Sequence, residues 1–276
     1  MRELELEYAL TPEQVGFFRK NGYIHLKGVL SADVLEHYRA AINTKVRELS
    51  TETLPIEQRT TYGKAFLQVM NLWRSSSVVQ ELTFSRRLAR IAAQLLECRG
   101  VRLYHDQALF KEPGGGITPW HADQHYWPLA SDRAVTAWIP LTAIDLAMGP
   151  LAFSPGSQNL RAGRELEISD ESEQTLKRTL ADFGTVEEPF SAGDVSFHLG
   201  WTFHRAGANC TERMREAFTI IYLDREMRLQ QPRNQNQATD WERWCPGVQV
   251  GGVIASELNP VLYTDEANGA PDPGGR

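Results

Sequence analysis

The decapeptide WHADQHYWPL, residues 120–129, sets a histidine and an aspartate two positions apart, His121 and Asp123. In a β-strand, residues at this spacing point to the same face, so both side chains can turn onto one ion. A His-x-Asp triplet is common by chance in a chain of this size. The segment therefore needs partners elsewhere in the sequence.

Two later residues supply those partners. His204 follows a predicted turn and strand at residues 193–197, and Arg215 lies eleven residues further on. Two imidazoles and one carboxylate on one face are the protein ligands of a non-haem Fe(II) centre with three open positions. A guanidinium holds a carboxylate through two hydrogen bonds, so Arg215 suits an acidic cosubstrate such as a 2-oxo acid. An arginine that pairs with a surface acid is the alternative interpretation of Arg215.

The composition excludes several classes of function. The chain has 276 residues, 42% of them hydrophobic, and a net charge of -6, which argues against nucleic-acid and anionic-lipid surfaces. No apolar run approaches the roughly 20 residues of a membrane span, and the acidic N-terminus is unlike a signal peptide. Three widely spaced cysteines do not suggest a disulfide framework. We expect a cytoplasmic protein with a small-molecule partner, and the oligomeric state stays open.

The chain changes character near residue 100. Before that point it reads as mainly helical, with a capped helix starting at Thr11-Pro12-Glu13-Gln14 and another predicted at residues 85–96. After it, short β-branched and aromatic runs separated by Pro and Gly predict a β-sandwich or barrel, interrupted by a helical insertion at about 170–183. The segment from Gln230 onward is rich in Gln, Asn, Pro and Gly.

These patterns predict one domain. It covers residues 1–265, with a helical N-terminal region at about 10–98 and a β core at about 100–225. Residues 266–276 are predicted to be a disordered tail.

Four stretches carry a resemblance to the phytanoyl-CoA dioxygenase family. Residues 120–129 resemble its metal-binding segment, and GPLAFSPGS, residues 149–157, resembles its Gly-x-Leu…Pro-Gly-Ser-His turn, with Gln158 in the place of the histidine. GDVSFHLGWTFHRAGAN, residues 193–209, is similar to its Gly-Asp…His…Asn segment. FFRKNGY, residues 17–23, matches its usual opening, so the resemblance spans most of the chain.

The resemblance implies a mainly β fold with flanking helices and a double-stranded β-helix core, also called a jelly roll or cupin-like core. It implies Fe(II), the cosubstrate 2-oxoglutarate and O2. His121, Asp123 and His204 then take the place of the iron ligands, and Arg215 that of the residue that binds the distal carboxylate of 2-oxoglutarate. Halogenases of this superfamily have Ala or Gly where Asp123 stands, so hydroxylation or a related oxidation is favoured.

Further residues fall where family members contact the cosubstrate: Gln107 and Trp138, with Lys111 as a weaker candidate. An ordinary role within a strand is the alternative for each. We also expect aromatic residues near the motif to contact the substrate, although core packing is the alternative: Phe66, Tyr126, Trp127 and Trp201.

The sequence thus predicts an Fe(II)- and 2-oxoglutarate-dependent dioxygenase. It is expected to hydroxylate an unactivated C–H bond of a small organic molecule in specialised-metabolite biosynthesis, releasing succinate and CO2. A non-catalytic metal-binding jelly roll (a sensor or scaffold), an acyl-CoA hydroxylase of the same family and a cupin-like isomerase or hydrolase with a different metal are the alternatives.

Overall fold

The computed structural model describes residues 1–265, and the predicted disordered tail at 266–276 lies outside the described residues. Helices dominate the first part of the chain and strands the second. In order, the elements are α1 Pro12–Asn21, β1 Tyr23–Leu26, α2 Ala32–Leu49, α3 Thr61–Ala65, β2 Leu67–Met70, α4 Ser77–Thr83, α5 Arg86–Leu95, β3 Gly100–Lys111, β4 Thr118–His121, β5 Ala134–Pro140, β6 Leu151–Phe153, α6 Asp170–Thr179, β7 Val186–Glu187, β8 Val195–Leu199, β9 His204–Ala206, β10 Arg215–Asp224, α7 Gln235–Trp244 and β11 Val261–Thr264.

The strands form two sheets whose pairings are antiparallel. The larger sheet has the order β1-β8-β5-β10-β3-β11, with β2 also paired to β3. The smaller sheet has the order β4-β9-β6-β7. Side chains of both sheets share one buried cluster, in which Trp138 and Ala217 of the larger sheet meet Leu151 and Phe153 of the smaller. The mainly β fold with flanking helices is as predicted.

Alternation along β10 separates the two faces of the larger sheet. Phe218, Ile220 and Tyr222 are buried in a cluster with apolar residues of the N-terminal helices. Arg215 and Thr219, on the opposite face, line a cavity. One strand therefore packs against the helical layer and also carries side chains that line the cavity.

Local capping explains where the predicted helices begin. Thr11 and Gln14 form a reciprocal capping box at the start of α1, and the Ser85 hydroxyl accepts a hydrogen bond from the Leu88 N–H at the start of α5. Both helices and the α6 insertion are as predicted. The sequence did not predict α7, which lies in the Gln- and Asn-rich segment and is capped by Asn234. No helix within residues 1–265 combines the length and hydropathy that a membrane span requires.

Candidate metal centre

Three predicted ligands come together between two strands. His121 ends β4 and His204 begins β9, and the two residues are direct partners in the antiparallel register. The spacing predicted that Asp123 lies on the same strand as His121. In the structure, Asp123 instead begins a short 3-10 turn. Ala122 keeps an extended backbone, with φ -124° and ψ 126°, so the side-chain alternation continues past the end of β4.

The distances suit one ion. Asp123 Oδ1 lies 3.6 Å from His121 Nε2 and 3.7 Å from His204 Nε2. One ligand atom from each residue lies within 4.8 Å of the others. Two imidazoles and a carboxylate are a donor set that fits Fe(II) and leaves coordination positions open on one side.

Hydrogen bonds to the backbone orient both imidazoles. His121 Nδ1 lies 2.8 Å from the Pro119 carbonyl and His204 Nδ1 lies 3.0 Å from the Thr202 carbonyl, so each Nδ1 carries the proton. Each Nε2 then has a free lone pair. Burial lowers the pKa of both imidazoles to about 4, with a further contribution from neighbouring histidines. Both rings are therefore neutral near pH 7, as metal ligation requires.

Two neighbours hold the Asp123 carboxylate. Its Oδ2 accepts a hydrogen bond from Thr136 Oγ1 at 3.1 Å and lies 3.3 Å from His198 Nε2. Burial by itself would raise the pKa of Asp123, but the nearby His204 and the His198 hydrogen bond lower it below its usual value. The carboxylate is thus ionised, with Oδ1 facing the two imidazoles.

An acid on α6 links the two histidine-bearing strands. The pairing of β4 with β9 is irregular between Thr118 and His121. At this irregularity the Trp120 N–H donates to Glu173 Oε2 at 2.7 Å, and Arg205 Nη1 donates to Glu173 Oε1 at 2.9 Å. Trp120 precedes one ligand and Arg205 follows the other, so Glu173 braces both. The sequence analysis did not identify this role for the helical insertion.

Arg215 lies buried in the wall of the same cavity. Its Nη1 donates to the Gly149 carbonyl at 3.0 Å, and its Nη2 donates to the Leu109 carbonyl at 3.4 Å. The guanidinium carbon lies 5.7 Å from the centroid of the Trp138 ring. Gly149 has φ +68°, and a Cβ there would lie 2.2 Å from the Gly207 carbonyl oxygen, so the turn that holds Arg215 requires glycine. A cationic fork in a buried wall can bind a carboxylate bidentately.

The other cosubstrate candidates separate into two groups. Gln107 and Trp138 line the cavity, and both are register partners of Thr219 on β10. Lys111 does not line it. Its Nζ donates to the Gly116 carbonyl and lies 3.4 Å from Thr118 Oγ1, and burial lowers its pKa to about 6. The lysine is thus bound to the protein's own backbone behind the cavity wall.

The cavity has a volume of about 290 Å³, and several aromatic rings line it. Of the predicted substrate contacts, Phe66, Tyr126 and Trp127 line it, as does Tyr62. Trp201 is not among the lining residues. Its indole donates to Asp132 at 3.0 Å, and the Arg164 guanidinium lies 4.4 Å from the ring centroid. The position of Trp201 therefore does not support the predicted substrate contact.

Helix α7 supplies a wall of the cavity that was not predicted from the sequence. One face of α7 lines the cavity with side chains at helical spacing: Asn236, Thr239, Asp240, Arg243 and Trp244. The signals that were available are the Asn234 cap and the apolar repeat of Trp241, Trp244 and Cys245. The polar composition around them hid the helical period.

Two antiparallel sheets that hold a His-Asp-His triad beside a buried arginine define a class, the jelly-roll non-haem iron oxygenases. The model of the phytanoyl-CoA dioxygenase (PhyH) family matches residues 18–217. The chain belongs to the phytanoyl-CoA dioxygenase family.

Individual relatives agree with this assignment. Peroxisomal phytanoyl-CoA dioxygenase of Mus musculus is 24% identical over 232 residues, covering 77% of this chain and 68% of the relative. The non-haem α-ketoglutarate-dependent carbocyclase SnoK from nogalamycin biosynthesis is 26% identical with a TM-score of 0.74, covering 92% of this chain and 97% of that structure. The epimerase SnoN, crystallised with Fe³⁺, α-ketoglutarate and nogalamycin RO, is 25% identical with a TM-score of 0.75, covering 91% and 98%. The predicted family and double-stranded β-helix fold are confirmed.

Proposed function

We propose that this protein is an Fe(II)- and 2-oxoglutarate-dependent dioxygenase that hydroxylates an unactivated C–H bond of a small organic molecule. Succinate and CO2 are the coproducts, and the setting is specialised-metabolite biosynthesis. The observation that carries the proposal is the convergence of the triad and Arg215 on one cavity: His121, Asp123, His204 and Arg215.

Each group has a defined part in this scheme. His121 and His204 present neutral Nε2 atoms and Asp123 presents Oδ1, and these three hold the ferrous ion. Arg215 binds the distal carboxylate of 2-oxoglutarate, with Trp138 packed against the guanidinium. When bound, iron and 2-oxoglutarate supply the oxidising power of the reaction with O2. The protein orients both reactants and excludes bulk water from the buried site.

The character of the cavity supports a compact organic substrate. Aromatic walls formed by Tyr62, Phe66, Tyr126 and Trp127 suit an apolar or aromatic molecule. SnoK and SnoN, with similar folds over more than nine tenths of this chain, are described as enzymes of nogalamycin biosynthesis. These two observations favour specialised metabolism over acyl-CoA oxidation, the activity named for the mouse relative.

The test is succinate release from 2-oxoglutarate by the purified protein with Fe(II) and ascorbate. Many-turnover release without substrate is expected from the wild type, since such oxygenases decarboxylate the cosubstrate slowly when uncoupled. Asp123→Ala should abolish it, because the anionic ligand is lost. Asp182→Ala removes an exposed acid outside the cavity and is the matched control. A wild type without succinate release, or an Asp123→Ala variant as active as the control, would favour a sensor or scaffold.

A further inference from the structure

A second carboxyl group faces the cavity and has no part in the metal centre. Asp240 lies on α7 among the residues that line the cavity. The Tyr104 hydroxyl donates to its Oδ2 at 2.9 Å and fixes its orientation. Desolvation raises the pKa of Asp240 to about 7, so the group is kept in an environment that disfavours an isolated charge.

Within residues 1–265, no Lys, Arg or His nitrogen forms an ion pair with Asp240. Arg243, one turn further along α7, is exposed and acts on the carboxylate only at longer range. Acids in desolvated positions are normally paired with a cation, because their desolvation is otherwise uncompensated. The protein's own side chains do not provide that cation here.

Aromatic rings line the same cavity as this carboxylate. Trp244 on the same helix and Tyr62, Phe66 and Trp127 line the same cavity. The rings of Tyr62 and Phe66 meet edge to face, with centroids 5.1 Å apart. Aromatic faces attract a cation, most strongly where water is excluded.

Arg215 and Asp240 lie far apart along the cavity. Tyr104 on β3 donates a hydrogen bond to Asp240. Lys111 lies seven residues further along β3 and is the register partner of Arg215. That separation is about 23 Å along an extended strand. Arg215 therefore suits a carboxylate at one end, and Asp240 suits a cation at the other.

We propose that Asp240 binds a protonated amino group of the substrate, so that the substrate is an aromatic molecule carrying a basic nitrogen. This proposal rests on the proposed function, because it takes the part of the cavity around Asp240 as the substrate site. In this scheme Asp240 is a specificity-determining residue, and α7 is the element that presents it.

The experiment compares two probes of equal shape, 2-naphthylmethylamine and 2-naphthylmethanol. Binding is measured by calorimetry to the protein loaded with Fe(II) and 2-oxoglutarate under nitrogen at about pH 8, where the carboxylate is ionised and the amine charged. The wild type should bind the amine about tenfold more tightly than the alcohol, as expected for one partly buried ion pair.

Three variants locate the preference. Asp240→Asn should reduce it to about twofold or less, and Asp240→Glu, which keeps the charge, should retain most of it. Glu242→Gln is the matched control, since Glu242 is an exposed acid on the same helix that does not line the cavity. Circular dichroism verifies that each variant folds. If Asp240→Asn does not fold, Asp240→Ser takes its place.

Equal binding of the two probes by the wild type, binding of neither, or a preference that survives the loss of the carboxylate would overturn the proposal. Uncoupled succinate release by the same preparation reports separately on the proposed function. Succinate release without an amine preference refutes the substrate assignment alone. An amine preference without succinate release refutes the dioxygenase assignment and leaves the amine site standing.

Discussion

Replacement of Arg215 by methionine separates cosubstrate binding from the chemical step. Methionine approximates the length and apolar volume of the arginine stem but has no charge and no fork of donors. Loss of a buried bidentate partner of a carboxylate costs about 3 kcal/mol. At about 1.4 kcal/mol per factor of ten, this corresponds to a roughly 150-fold weaker affinity for 2-oxoglutarate.

The expected kinetic result is a KM for 2-oxoglutarate raised by about two orders of magnitude, with kcat nearly restored at saturation. This split is expected because, in the proposed scheme, Arg215 binds the end of the cosubstrate remote from the candidate metal ligands. Succinate release over a range of 2-oxoglutarate concentrations measures both constants. Arg213→Met is the control, because Arg213 is an arginine with 69% side-chain exposure that does not line the cavity.

Thermal stability gives an independent measure of the same affinity. Burial lowers the pKa of Arg215 to about 10, so its removal relieves a desolvation cost while leaving two carbonyl groups without their donor. These effects oppose each other in the protein without cosubstrate. At a 2-oxoglutarate concentration of about 100 times the wild-type Kd, the cosubstrate should stabilise the wild type by about 2.7 kcal/mol and the variant by only about 0.3 kcal/mol. A KM within about threefold of the wild-type value, with equal thermal stabilisation, would refute the role of Arg215.

Three further outcomes are expected. The affinity for Fe(II) should be nearly constant between about pH 6 and 8 and fall toward pH 4, because burial holds the pKa of His121 and His204 at about 4 and protons compete with the metal only near that value. Anaerobic titration with Fe(II) measures this affinity. A steep decline in affinity already below pH 8 would contradict the expectation. Glu173→Ala should weaken iron binding about tenfold by releasing both histidine-bearing strands, with partial recovery in Glu173→Gln, whereas equal affinity in all three proteins would exclude the brace. Asp106→Ala should lower the free energy of unfolding, measured in urea, by about 2 to 3 kcal/mol, because it leaves two backbone N–H groups and a buried hydroxyl without their acceptor. A loss below about 0.5 kcal/mol would show that these donors find other acceptors.

Residue types and spacing were sufficient to predict which side chains meet at the candidate metal centre. An imidazole and a carboxylate two positions apart need only a locally extended backbone, which Ala122 provides even though β4 ends at His121. Helix starts were equally predictable, because a capping residue acts within one turn of the chain. Such features depend on neighbours in sequence.

Features that depend on tertiary contacts were not predictable. Gln107 and Lys111 are four residues apart on β3, so alternation gives them the same face. In the folded protein, the Lys111 Nζ lies within hydrogen-bonding distance of Gly116 and Thr118, whereas Gln107 lines the cavity. Helix α7 was missed for a related reason. Its stability depends on packing of its tryptophans with buried residues of β3 and on hydrogen bonds from Asn234 and Gln237 to the His125 carbonyl, rather than on its polar composition.

The placement of α7 has a consequence for how enzymes of this design diversify. The family match ends at residue 217, and α7 spans Gln235–Trp244. The candidate metal ligands and Arg215 therefore lie in one stretch of the chain, and this wall of the cavity lies in another. A graft of this segment that keeps Gln237, which donates to the His125 carbonyl beside Asp123, is therefore expected to change which molecule is admitted and to retain the four residues of the candidate metal and cosubstrate site. Chimaeras that exchange only this segment between homologues should also exchange their substrate selectivity.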